Sequence, residues 1–182
     1  MPFQQPLDSN YRPIAGPSDG QKPTYIASIT GLVVAASATD IFTVTPGSAP
    51  VRITRLRISG TKTTAGADVD IQLIKRSAAD TGGTSTAPTK VAYDSADTAS
   101  TAAIAAYTVN PTGLGTAIGT LTVDSVFVGL ATAQTGILDH RFGDRPAKAV
   151  VLRGTETLAV NLNGVTVGGG AFDISVEYTE DV

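Results

Sequence analysis

The sequence predicts an all-β domain, a two-sheet sandwich behind an extended N-terminal arm. Three observations carry this. Strand-length runs alternate apolar and polar residues with a period of two, as in Val69, Ile71 and Leu73 against Asp68, Asp70 and Gln72, or Phe172, Ile174, Val176 and Tyr178 against Asp173, Ser175 and Glu177. Turn chemistry separates the runs at short intervals: Thr45-Pro46-Gly47, Asn110-Pro111-Thr112-Gly113, Asn163-Gly164. No fixed-period repeat points to a propeller or a solenoid.

Residues 1–24 carry Pro2, Pro6, Pro13, Pro17 and Pro23 among polar residues and Gly, with Phe3, Leu7, Tyr11 and Ile14 as isolated apolar points. Proline removes donors and favours extended chain, so this is an arm able to lie across a neighbour and set those four side chains into shallow pockets. A disordered tail is the alternative, and composition does not separate the two.

The folded domain is expected over residues 25–182. Tyr25 to Ala35 and Thr39 to Val44 are β-prone. Val51 to Arg76 reads as a long hairpin joined by a polar Gly and Thr turn. In its first run Val51 and Ile53 are odd-numbered but Leu56 and Ile58 even-numbered, so one extra residue near Thr54 or Arg55 is needed to keep all four inward. This predicts a β-bulge, with Arg52 and Arg57 facing solvent or a partner.

Ser77 to Lys90 is polar and small, an exposed loop of a length that usually binds or packs against something. Between Ala99 and Ala105 alanine density favours a short helix. Ile118 to Leu130 reads as a strand with Leu121, Val123 and Phe127 on one face. Ala149 to Leu152, an alternating strand through Leu158, Val160 and Leu162, and the run ending at Tyr178 complete eight or nine strands. That is the count of a jelly-roll-like sandwich.

Composition limits function. The 182 residues hold one domain plus an appendage. Charged residues make up 16%, against about a quarter in typical soluble domains, which suggests a surface that faces protein. A net charge of −3 with scattered cations argues against nucleic acid and against a polybasic membrane patch. No apolar run approaches a membrane span and the N-terminus lacks the pattern of a signal peptide, so the expectation is synthesis in the cytoplasm without an anchor. With no Cys there is neither disulfide nor thiolate metal site.

No residue set forms a catalytic signature. His140 is the single histidine, and its neighbour Asp139 points to the opposite face if both lie in a strand. Asp94 with Asp97, and Asp68 with Asp70, offer too few oxygens for calcium. Asp94, Asp97, Asp124, Asp144 and Glu156 are the carboxylates that could pair for glycoside hydrolysis, but the chain has no Trp and only five Tyr to build a sugar platform. Gly168 to Gly170 lacks the Lys and strand-to-helix setting of a phosphate loop. No cofactor, metal or catalytic residue is expected.

The stretches ISGTKTTAG and DIQLIKRS, the loop TGGTSTAPT, YTVNPTGLGTAIG, and PAKAVVLRGTETLAVNLNGV with DISVEYTE together resemble small structural proteins of tailed bacteriophages and their prophages. The resemblance covers roughly residues 25–179. It implies a non-enzymatic virion component with a jelly-roll-like fold, often a homotrimer, attached to the head as a decoration or cement protein. The partner would be the major capsid protein and the location the outer capsid surface. A tail, collar or baseplate component is the alternative within the particle, and a carbohydrate-binding module for host adsorption the alternative outside this class.

Overall fold

The computed structural model describes residues 22–63, 65–130, 135–143, 148–167 and 169–180. The described residues form twelve strands and no helix. They curl into a jelly-roll-like all-β fold whose halves enclose one core. The first half centres on β3 (Val51–Lys62), with β12 (Ala171–Glu180), β1 (Thr24–Val33) and β6 (Lys90–Ala92) following on one side. The other side of β3 is shared in succession by β10 (Val150–Leu152), β9 (Ile137–Arg141) and the end of β8 (Ala117–Leu130). The second half runs β8, β4 (Ala67–Arg76), β11 (Thr157–Asn161), β2 (Asp40–Thr45), β7 (Ala103–Val109) and β5 (Thr84–Thr86).

The predicted bulge is present. Glu177 pairs with Arg55 and Tyr178 with Ile53, which leaves Thr54 as the extra residue. The slip lets Val51, Ile53, Leu56 and Ile58 all reach the core. The Asn163-Gly164 turn is equally direct: φ is 53° at Asn163 and 73° at Gly164, and Val165 N donates to the Leu162 carbonyl at 2.9 Å. Two successive positive φ values define a type I′ turn, which favours this dipeptide. In β12 Phe172, Ile174, Val176 and Tyr178 are buried as the alternation requires.

Three expectations are corrected. Val51 to Arg76 is not a hairpin, because β8 lies between β3 and β4 and the polar turn carries the chain from one half to the other. Residues Ala99 to Ala105 are not helical: the chain enters β7, and Ala102, Ile104 and Ala106 alternate inward. Alanine density there does not report helix propensity, since small residues satisfy a two-residue period as readily as a helical one. The described residues form twelve strands, more than expected, because β5 spans only three residues and leaves no periodic signal and β7 takes the place of the expected helix. The Ser77 to Lys90 loop is exposed over most of its length but does pack: Ser77, Asp80 and Thr81 bond to the Gly113–Thr116 segment. The arm residues Phe3, Leu7, Tyr11 and Ile14 lie outside the described residues.

Beneath that loop sits a buried polar cluster. Asp40 is fully buried and receives Arg76 Nε at 2.5 Å, another Arg76 nitrogen at 2.8 Å and Asn161 Nδ2 at 2.5 Å. Arg76 also donates to the Gly115 carbonyl at 3.0 Å. At the opposite end of the domain the buried Glu180 carboxylate gathers Ser100 Oγ, Thr101 N and Ala102 N, closing the loop before β7 against β12. The Asp40 and Glu180 carboxylates each have both oxygens hydrogen-bonded, as buried charge requires, whereas Asp80 beside Asp40 keeps one buried oxygen without a partner among the described residues.

Candidate functional site

The outward face of the β1, β12, β3 and β9 sheet carries a row of exposed and half-buried charged and polar groups. Once Thr54 absorbs the bulge, Arg55, Arg57 and Ser59 must alternate outward while Leu56 and Ile58 turn in. Cross-strand register then builds rows: Ile26, Glu177, Arg55 and Arg141 in one, Ser28, Ser175, Arg57 and Asp139 in the next. Directly opposed residues in a sheet share a side, so each row is a contiguous strip of surface.

Arg55 and Asp139 form a two-pronged pair, Nε to Oδ1 at 2.8 Å and the terminal nitrogen to Oδ2 at 2.7 Å. The guanidinium beside it lowers the Asp139 carboxyl from its ordinary value. Glu177 is held from two sides, by Thr54 Oγ1 at 2.9 Å and by the Tyr93 hydroxyl at 2.7 Å. Donating to that carboxylate pushes the Tyr93 phenol up to about 12. Arg57 differs from these. It is exposed and makes no hydrogen bond or ion pair among the described residues, although its charge helps lower the Asp139 carboxyl directly across the sheet. It lines a groove of about 240 Å³ with Ser28, Ser59, Ser175 and Asp173. An exposed guanidinium beside serine hydroxyls and one carboxylate keeps forked donors suited to carboxylates and backbone carbonyls of a protein.

Of the residues expected to bind a partner, Arg52 and Arg57 share this face of β3, whereas the four arm residues fall outside the described residues. Arg55, Tyr93, Asp139 and Glu177 were missed as a group. The parity after the bulge could have added Arg55, and the alternation of β12 already turned Glu177 outward. Tyr93 follows β6, which reaches β1 across more than sixty residues of sequence, and nothing local signals that.

The other chemical candidates sit in local contacts. Asp139 and His140 do face opposite sides of β9. His140 stacks on Phe142 at 6.1 Å between ring centroids, and its Nε2 lies 3.3 Å from Asp124 Oδ2 without a hydrogen bond to any hydroxyl among the described residues. Asp94 caps its own turn through Ala96 N at 2.9 Å, and Glu156 pairs with Lys75 at 2.8 Å. Asp144 lies outside the described residues. Among the described residues no three His, Cys, Asp or Glu side chains converge as a metal site, and no helix is long and apolar enough to cross a membrane. Comparison of the chain with protein-family models, with curated proteins and with solved structures finds no match.

Proposed function

We propose that this protein is a non-enzymatic structural component of a tailed-phage virion, a head decoration or cement protein that assembles as a homotrimer on the outer capsid surface. In this role it binds across adjacent major capsid subunits and resists their separation. The observation that carries the binding part is Arg57, an exposed guanidinium on a strand-built polar face, with no hydrogen bond or ion pair among the described residues. The phage assignment rests on the sequence resemblance alone. Many copies of a modest contact, each bridging two subunits, hold through effective concentration and need no active site.

The test is immunogold labelling of purified virions from the source lysate, with phage supplied with either wild-type protein or Arg57→Glu. Gold over heads, reduced by the substitution, is the expected result. Gold confined to tails would move the protein to a tail, collar or baseplate role, and unlabelled particles with antigen present in the lysate would end the virion reading.

A further inference from the structure

Strand β8 is the longest among the described strands, and along much of one edge no described strand pairs with it. Along its other edge it pairs with β4 from Ala67↔Val128 to Arg76↔Ala117. On the first edge, Gly129 and Leu130 pair with β3 and the Phe127 carbonyl accepts Gly136 N at 2.7 Å. From Ala117 to Val126 no described strand pairs with that edge, although His140 of β9 comes within 3.3 Å of Asp124. Long edge strands are normally blunted by charge or proline. β8 has one charged residue, Asp124, in fourteen.

The edge has two chemically distinct sides. Leu121, Val123 and Phe127 stand on the solvent side, with Val123 66% exposed, and Ile118 and Ile137 are exposed beside them. On the inner side Thr122 and Asp124 oppose Leu73 and Ile71; Thr122 Oγ1 is buried with no hydrogen-bond partner among the described residues, and the buried Asp124 Oδ2 has only His140 Nε2 nearby, at 3.3 Å.

We propose that the N-terminal segment of this chain covers this edge, with residues 7–12 added to β8 as a further strand. Leu7 to Arg12 is the longest proline-free run among the first 21 residues, and a strand needs the donors that proline lacks. Its alternation matches β8. Leu7, Ser9 and Tyr11 fall on one side, to meet Leu121 and Val123, while Asp8, Asn10 and Arg12 fall on the other, toward Thr122 and Asp124. Arg12 is the sole cation of residues 1–21, and Asp124 the sole charge on β8. Length permits it: the chain leaves the described fold at Lys22, where the Pro23 carbonyl accepts Glu180 N at 3.2 Å, and residues 13–22 extend up to about 33 Å. That exceeds the roughly 20 Å of two strand spacings plus one sheet spacing, so β8 of the same copy or of a neighbour is within reach. Backbone bonding would supply affinity and the alternate side chains selectivity, as in other strand additions. The docking does not depend on where the protein acts.

The chain has no Cys, so an engineered pair reports cleanly. Full-length protein carrying Tyr11→Cys and Val123→Cys is oxidised and run on a non-reducing gel, beside a control pairing Tyr11→Cys with Val33→Cys, a site on β1 exposed to 58%. Docking predicts cross-linking about tenfold faster than the control, from the raised effective concentration. It also predicts a fall to the control rate when Leu121→Asp is added at the exposed surface. An intramolecular band and a dimer band both support docking, and a dimer band assigns the segment to a neighbour. Equal rates in the two pairs, or a rate unchanged by Leu121→Asp, would overturn the inference and leave the virion labelling result standing.

Discussion

Asp80→Asn should stabilise this protein at pH 8 and do little at pH 4. Asp80 lies beside Asp40, which already takes both Arg76 prongs and the Asn161 amide. Asp80 itself has only Gly115 N at 3.4 Å on one oxygen, and its other oxygen is buried with no described partner. Burial, then the neighbouring Asp40 charge, push the Asp80 carboxyl up to about 7. An unfolded Asp titrates near 3.9, so between about pH 4 and 7 the folded state holds a proton that the unfolded state has lost. Stability from this group is therefore complete below about pH 4 and is lost as pH rises through 7. The full difference corresponds to about 4 kcal/mol, but Asp80 is half-exposed and solvent screening leaves about 1–2 kcal/mol. For a chain of this size that is roughly 3–6 °C in Tm. Thermal melts of wild type and Asp80→Asn at fixed protein concentration, in steps from pH 5 to 8, give the difference curve directly. Asp139 and Glu156, both lowered by their cationic partners, change charge below this window. A gap that opens with rising pH is expected. A variant that melts at or below wild type at pH 8, with a parallel pH profile, would refute the shared-charge account.

Two substitutions test the packing. Val176→Asp introduces a charge at a fully buried position of β12 and should yield insoluble or unfolded protein, checked by solubility and circular dichroism; a soluble, cooperatively melting product would contradict the assigned face. At Gly47 an added Cβ would lie 2.2 Å from the Thr101 carbonyl oxygen, a backbone atom that cannot swing aside. Gly47→Ala should therefore cost about 1–3 kcal/mol in urea unfolding, and a loss below about 0.5 kcal/mol would show that the loop before β7 yields freely.

The sequence by itself determined whatever depends on neighbours in the chain. Side-chain period follows from backbone geometry, so the inward set of β12, the extra residue at Thr54 and the Asn163-Gly164 reversal were all legible without coordinates. The same parity turned Arg52 and Arg57 outward. Tertiary structure decided what depends on distant partners. Periodicity grouped Leu121, Val123 and Phe127 on one face of β8, yet whether that face is covered depends on which strands lie over it, and these residues are exposed. The entry of β8 between β3 and β4 dissolved the expected hairpin, since backbone pairing is chosen by the whole sheet. The Asp40, Arg76, Asp80 and Asn161 cluster, and the Arg55, Asp139, Tyr93 and Glu177 group, draw on residues more than 100 positions apart. No local spacing encodes such meetings, because a charge reads as solvated until the fold removes its water.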